Sequence, residues 1–486
     1  MANTKEKVVK NMVWRFAERI GAQGISLIVS ILLARILTPK DYGTIALITV
    51  FVAILQVFVD SGLGNALIQK KDADDLDYST VFYFNMGMCI VVYLLLFFAA
   101  PYIASFYNDL SLTPVIRVIG LTLIVSGVKN IQQAYVSSHM LFKRFFYATL
   151  GGTLFSGILG VFMAYKGYGV WALVAQQLSN ATIDTLILWI TVKWRPKKMY
   201  SWERWKTLFS FGWKLLVSAL IDTTYVNLRN LVIGKKYTKS DLAYFDNGQK
   251  IPKMVVSNVN ASIGSVLFPA LSQEQHRPDL VKAHTRRAIK MSSYVLWPAL
   301  LGVAACAEPL ISIVLTDKWL PAVPYLRIAC FTFGLWPIHT TNLQAINAMG
   351  RSDYFLKLEI IKKVIGITAL FIAMPHGVMA IAISGIITGI ISTIVNSWPN
   401  KSLLNYTYFE QIKDIMPSLL LSSAMAYVVH LWILLDLKSW QLLLLQIPTG
   451  IIVYIAGSKL FKFEDYDYLI NSIKSWKAKR AAAKAV

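Results

Sequence analysis

Long stretches without a single ionised side chain dominate this chain. Val81–Tyr102, Met416–Leu435 and Leu442–Gly457 contain no Asp, Glu, Lys or Arg. Apolar runs of about 18 residues or more match the ~30 Å hydrocarbon thickness of a bilayer. Lipid offers the peptide group no hydrogen-bond partner, so a spanning segment must be a helix or a strand of a closed barrel. The strict apolar/polar alternation of barrel strands is missing, which leaves helices. Composition matters at one point. Only 15% of residues are charged, against about 25% in soluble domains, too few to coat a water-exposed surface. The expected fold is an all-α polytopic membrane protein of about fourteen transmembrane helices.

Spans are expected at 11–37, 43–68, 79–101, 112–138, 144–166 and 168–192. Eight more are expected at 208–234, 240–270, 286–304, 322–349, 354–374, 376–398, 413–435 and 440–460. Pro39, Pro101, Gly167, Gly169, Pro375 and Gly377 punctuate the turns. The formal net charge of +22 reads as the bias of cytoplasmic loops toward Lys and Arg rather than as a nucleic-acid surface. The bases fall mainly on one side: Lys5, Lys7 and Lys10; Lys70 and Lys71; Lys143 and Arg144; the segment Lys193–Lys206; Arg277–Lys290; Arg351, Lys357 and Lys401; and the C-terminal cluster. Both termini are therefore expected in the cytoplasm. Arg286, Arg287 and Lys290 read as interfacial anchors, and the tail around Trp476 as a basic amphipathic helix on the inner leaflet. Cys89, Cys306 and Cys330 have no metal-ligand or CxxC spacing and read as small apolar residues, so no metal site is expected.

The two halves echo each other. A shift of 200 residues aligns Thr38 and Asp41 with Thr238 and Asp241, and Gly64 and Leu67 with Gly264 and Leu267. GYGVWAL at Gly167–Leu173 resembles PHGVMAI at Pro375–Ile381. This suggests an N-terminal lobe over 1–192, a basic cytoplasmic linker at 193–207 and a C-terminal lobe over 208–400. A further helix pair at 401–460 and a basic cytoplasmic tail at 461–486 complete the division. Parallel repeats of this kind place a substrate site where the lobes meet.

Ionisable groups inside spans are expensive and mark polar pathways. Arg15, Glu18 and Arg19 share one face of the first span. Lys214, Asp222 and Arg229 share one face of the seventh, and Lys250, Lys253 and Asn260 one face of the eighth. Lys129 and Gln133 lie on the fourth, Asp60 on the second, Asn342 and Gln344 on the tenth. His339 reads as a hydrogen-bonded core residue. A cationic, hydrated cavity suits an anionic ligand, and several Lys and Arg groups suit a diphosphate. Arg15, Arg19, Lys129, Lys214, Arg229, Lys250 and Lys253 are the candidate cationic residues; Gln133, Asn260, Asn342 and Gln344 are the polar ones. Glu18, Asp60 and Asp222 either bind H⁺ or Na⁺ or pair with neighbouring bases. No GxxxxGK[ST] loop is present, so no built-in ATPase is expected. The longest outer connection, Glu308–Pro324, carries only Glu308 and Asp317 as acids, which argues against a membrane glycosyltransferase.

LLARILTPKDYGTIAL (Leu32–Leu47), DSGLGNALIQKK (Asp60–Lys71) and NAMGRSDYF (Asn347–Phe355) resemble Wzx-type polysaccharide flippases of the WzxC/TuaB branch. These belong to the multidrug/oligosaccharidyl-lipid/polysaccharide superfamily, with the MATE exporters and the lipid II flippase. The resemblance covers nearly the whole chain. It implies two lobes around a cavity that alternates between leaflets of a bacterial cytoplasmic (inner) membrane. It also implies an undecaprenyl-diphosphate-linked oligosaccharide as substrate, no cofactor beyond H⁺ or Na⁺ as coupling ion, and no enzymatic activity. Expected partners are membrane lipids, a polymerase and other polysaccharide-assembly proteins, with a monomeric chain and no nucleic acid. The rival readings are a MATE-like exporter of small cations, a glycan polymerase or ligase, and an uncoupled scramblase.

Overall fold

A computed structural model describes residues 2–60, 62–70 and 72–482; the side chains of 2–13, 15, 16, 211, 352, 473 and 476–482 lie outside the description. Among the described residues the chain is helical throughout, with no strand. It separates into two compact units, Met1–Ala243 and Tyr244–Val486.

The first unit holds α1 (Ala2–Ile36), α2 (Pro39–Asp60), α3 (Leu63–Gln69), α4 (Asp75–Phe106), α5 (Leu112–Ser138), α6 (Phe142–Tyr165), α7 (Val170–Thr191) and α8 (Trp202–Lys236). It also takes the first turn of α9 (Lys239–Gln273). The second unit holds the rest of α9 with α10 (Pro278–Ala305), α11 (Ala307–Leu315), α12 (Val323–Gly334), α13 (Trp336–Ala348), α14 (Ser352–Ala373), α15 (Val378–Leu404), α16 (Tyr408–Leu431), α17 (Ser439–Leu460) and α18 (Glu464–Ala482). Within the first unit α1 packs along α6, α6 on α7, α4 and α7 on α5, and α8 on α2 and α3. Within the second, α10 packs on α16, α12 and α13, α15 on α13 and α14, and α17 on α16 and α11.

Helices fall on each of the fourteen expected segments, the second being divided between α2 and α3, and the chain is a multi-pass membrane protein. Among the described residues, ten segments are long and apolar enough to cross a membrane on those grounds alone. The other four expected spans correspond to α7, α8, α12–α13 and α14. They are more polar or interrupted: α8 carries Lys214, Asp222 and Arg229, and the α12–α13 pair breaks at Leu335 ahead of Pro337. The expected outer connection after Glu308 is not a loop. It forms α11 and a 3-10 segment, Asp317–Ala322, and buries Trp319 completely. The large indole drives that ordering by removing apolar surface from water.

Two of the three sequence echoes are structural; Gly64 and Leu67 instead lie in the short α3, whereas Gly264 and Leu267 lie within the long α9. Thr38 Oγ1 donates to Asp41 Oδ2 at 2.6 Å, while the Asp41 N–H returns to Thr38 Oγ1 at 3.3 Å. Thr238 and Asp241 repeat the pattern at 2.7 and 3.1 Å. Both are reciprocal caps that satisfy amides a helix start leaves unpaired. Likewise Gly169 and Gly377 immediately precede α7 and α15 with φ of 54° and 101°, a backbone region in which a Cβ is strained.

The N-terminus of α4 carries a third box. Asp77 N–H donates to Asp74 Oδ1 at 2.9 Å, and Asp74 N–H to Asp77 Oδ2 at 3.2 Å. The Asp77 amide, before other contributions, holds the Asp74 carboxyl below the usual carboxylate range. A depressed pKa means the stabilisation is complete above about pH 4 and is lost as pH falls through the lowered value. Asp74→Ala is therefore expected to cost about 1 kcal/mol at pH 7. The gap in thermal midpoint between the two proteins should close as pH is lowered below the carboxylate range; a gap independent of pH would refute the cap's ionic part.

The bases of α10 expected as interfacial anchors make ion pairs within the protein. Arg286 makes a bidentate pair with Asp414 at 2.7 and 2.8 Å, and Tyr406 Oη donates to the same carboxylate at 2.8 Å. Arg287 pairs with Asp465 at 3.5 Å, Lys290 with Glu464 at 3.1 Å and Lys282 with Glu410 at 3.2 Å. Lys290 depresses the Glu464 carboxyl, whereas burial raises that of Asp465. The acidic starts of α16 and α18 thus neutralise this basic stripe within the protein. Asp414 is 4% exposed, so Arg286→Ala leaves a carboxylate away from water with its cation gone. A loss of about 3 kcal/mol is expected, read as a lower melting temperature in detergent; an unchanged melting temperature would contradict it. The expected inner-leaflet tail forms α18, but its side chains from Trp476 onward lie outside the described residues.

Candidate functional site

Depth along a helix follows from 1.5 Å rise per residue. Lys250 sits 11 residues into α9, and Lys253 three further, which places both about 16–21 Å along its axis. Pro252 between them cannot donate to the Gly248 carbonyl, so the helix ladder is interrupted at this level. From Tyr244 onward α9 is anchored in the second unit. Tyr244 meets Trp319 edge-on with centroids 6.0 Å apart, Phe245 meets Tyr325 at 5.9 Å, and Gly248 packs against Ala322 and Tyr325. Beyond that anchor α9 is sparsely covered: 11% of its apolar window is buried. Lys250 and Lys253 are both exposed on this stretch. Lys250 Nζ donates to Asn247 Oδ1 at 2.8 Å and lies 3.7 Å from Asp246. Asn260, two turns on, is half-buried, with a buried Oδ1 that has no hydrogen-bond partner among the described residues. Gln344 of α13 is half-buried near Gly264 of α9.

In the first unit a second polar group forms where α2, α5 and α7 meet. Lys129 Nζ pairs with Asp184 Oδ2 at 3.1 Å, the side chains being 21% and 14% exposed. Asn130 donates to the Val59 carbonyl at 3.2 Å and to Asp60 Oδ1 at 3.5 Å. Gln56 reaches the same Asp60 oxygen at 3.1 Å. Gln133 is half-buried one turn from Lys129. Glu18 accepts from Thr149 Oγ1 of α6 at 3.3 Å, and Arg19 is exposed. On α8, Lys214 and Asp222 are exposed and Arg229 is half-buried. The side chain of Arg15 lies outside the described residues.

Asn342 does other work. It is fully buried, and its Oδ1 accepts from Asn400 at 2.6 Å and Gln411 at 3.1 Å, while its Nδ2 donates to Gln411 Oε1 at 2.8 Å. Its polar atoms are engaged by α15 and α16 and hold the interior of the second unit together. His339 sits in the same layer, 3.3 Å from Asn396 and 3.4 Å from Thr393, a hydrogen-bonded core residue as its neighbours imply.

Sequence reading did not single out Asp184. The signal was present: it is the lone ionisable residue between Gly167 and Val192, and a lone carboxylate inside a span needs a partner. Only the packing of α7 on α5 supplies that partner.

Known proteins bear on this arrangement. The profile of the family described as "Polysaccharide biosynthesis protein" matches residues 32–324. The teichuronic acid biosynthesis protein TuaB of Bacillus subtilis is 22% identical over 88% of this chain and 89% of its own. The lipopolysaccharide biosynthesis protein WzxC of Escherichia coli is 22% identical over 93% and 88%. The succinoglycan biosynthesis transport protein ExoT of Rhizobium meliloti is 21% identical over 74% and 72%. Among solved structures, the lipid II flippase MurJ in an inward closed conformation superposes with a TM-score of 0.76 at 16% identity, over 94% of this chain and 100% of that one. An inward-facing MATE-family transporter gives 0.62 at 14% identity, over 78% and 94%. These two establish the fold, a MurJ- and MATE-like helical architecture. The profile spans more than half of the sequence, and the chain belongs to the polysaccharide biosynthesis protein family.

Proposed function

We propose that this protein is a flippase that carries an undecaprenyl-diphosphate-linked oligosaccharide from the cytoplasmic to the outer leaflet by alternating access, for surface polysaccharide export. The observation that carries the reading is the exposed pair Lys250 and Lys253 at mid-depth of α9, in a chain of this family. Ammonium groups at that depth need water or an anion, since bare hydrocarbon would cost several kcal/mol each. Asp246 already stands 3.7 Å from Lys250; a diphosphate adds charge-assisted acceptors for both lysines, and the prenyl tail stays in lipid while the head group crosses. Arg15, Arg19, Lys129, Lys214 and Arg229 are the further candidate cationic residues for the charged head. Gln133, Asn260 and Gln344 face the sugars, and Glu18, Asp60 or Asp222 binds the coupling ion, H⁺ or Na⁺. The setting is the bacterial cytoplasmic membrane, with both termini in the cytoplasm, a monomeric chain, and a polymerase acting on the delivered unit.

The test is reconstitution into liposomes containing a fluorescent undecaprenyl-diphosphate oligosaccharide. Protein-dependent exposure of the glycan to an external lectin is expected. Its absence, with extrusion of cationic dyes instead, would replace this reading by that of a small-cation exporter.

A further inference from the structure

Lys129 and Asp184 form an ion pair between two helices, well inside both. Lys129 lies nine residues from the end of α5 and Asp184 seven from the end of α7, about 14 and 10 Å along the respective axes. Gly152 of α6 lies against the turn of α7 that carries Asp184. A Cβ there would stand 3.1 Å from Asp184 Cβ and from the carbonyl and side-chain oxygens of Asn180. The bare glycine therefore lets α7 approach on the turn that carries the carboxylate. Asp60, held by Gln56 and Asn130, adds a second carboxylate to the same region.

We infer that Asp184 is a tethered competitor for the diphosphate: it occupies the Lys129 ammonium when no substrate is bound and reclaims it when substrate leaves. This rests on the function proposed above. A half-buried ammonium without a counter-ion would bind any anion tightly and release it slowly. A carboxylate fixed 3.1 Å away competes at the high effective concentration of an intramolecular group. It costs affinity and gives reversibility. A diphosphate and a carboxylate repel each other across the same ammonium, so occupancy by one weakens the other. Asp184 is thus a positioning residue acting through Lys129, and its removal should separate affinity from turnover.

The experiment uses the full chain in nanodiscs with undecaprenyl diphosphate as the probe, together with glycan export in cells. Asp184→Asn is expected to bind the probe roughly 5- to 30-fold more tightly than wild type, the range for losing one partly screened charge repulsion. Export by the same variant should fall, because release is slowed. Asp184→Glu should return both readouts toward wild type, and Lys129→Ala should weaken binding. If Asp184→Asn is not recovered folded, Asp184→Ser carries the same expected direction. Unchanged or weaker probe binding by the neutral variants, while wild type binds, overturns the inference and leaves the flippase reading standing. If wild type itself does not bind the diphosphate, that reading fails and the inference falls with it.

Discussion

Export of glycan is expected to cease in the double variant Lys250→Ala/Lys253→Ala, with the protein still present in the membrane at wild-type amount. Both side chains are exposed on the poorly covered part of α9, so truncation removes no core packing and opens no cavity. It also makes that stretch more apolar, which favours insertion. Stability should therefore hold while the diphosphate loses two charge-assisted contacts. At about 1.5–3 kcal/mol for each hydrogen bond to a charged group, the combined loss is a factor of roughly 10² or more in affinity. Single variants should fall between wild type and the double. Wild-type export by the double variant would show that these lysines serve lipid headgroups, and the anion-carrier reading would go with it.

The second large effect concerns Gly43. A Cβ at this position would lie 1.7 Å from the Lys239 carbonyl oxygen and 2.5 Å from its carbon. No rotamer change relieves a clash with backbone, so α2 and the first turn of α9 must part. Several contacts hold the α8–α9 turn there. Lys239 pairs with Asp109, Lys235 donates to the Phe106 carbonyl and lies 4.1 Å over the Phe106 ring, and Tyr107 Oη donates to the Leu231 carbonyl at 3.5 Å. Gly234 admits the Leu47 side chain. Gly43→Ala should open this junction at a cost above the usual 1–3 kcal/mol of overpacking, because main chain opposes main chain. The measurement is labelling of a Ser240→Cys reporter by a membrane-impermeant maleimide. A rate increase of tenfold or more over the Gly43 background is expected, since 1.4 kcal/mol already corresponds to that factor. Equal rates in folded protein would show that the turn does not rest on Gly43.

Family membership and helix positions were both readable before any coordinates. α5 occupies 112–138 as expected, and α6, α7 and α17 differ from expectation by no more than two residues at either end. Even the Thr38/Asp41 and Thr238/Asp241 echo proved to be the same cap built twice. The sites were legible only in part. Lys250 and Lys253 could be placed at mid-depth by counting residues, but the low coverage of α9 depends on which helices stay away from it. Lys129 was visible and its partner Asp184 was not, because the two are 55 residues apart. Asn342 belonged to a polar stripe on paper, yet Asn400 and Gln411 take up its amide. The α10 bases were visible as a stripe, but their partners at the starts of α16 and α18 were not.

What the sequence alone determined is local and solvent-driven. A bilayer leaves the backbone no partner but itself, so apolar length dictates helix, and caps and glycines dictate where each helix begins. Tertiary structure decided which charge meets which, because ion pairs and buried amides depend on helices distant in the chain coming within about 3 Å of each other. Periodicity names the face a side chain occupies; only packing names what stands opposite.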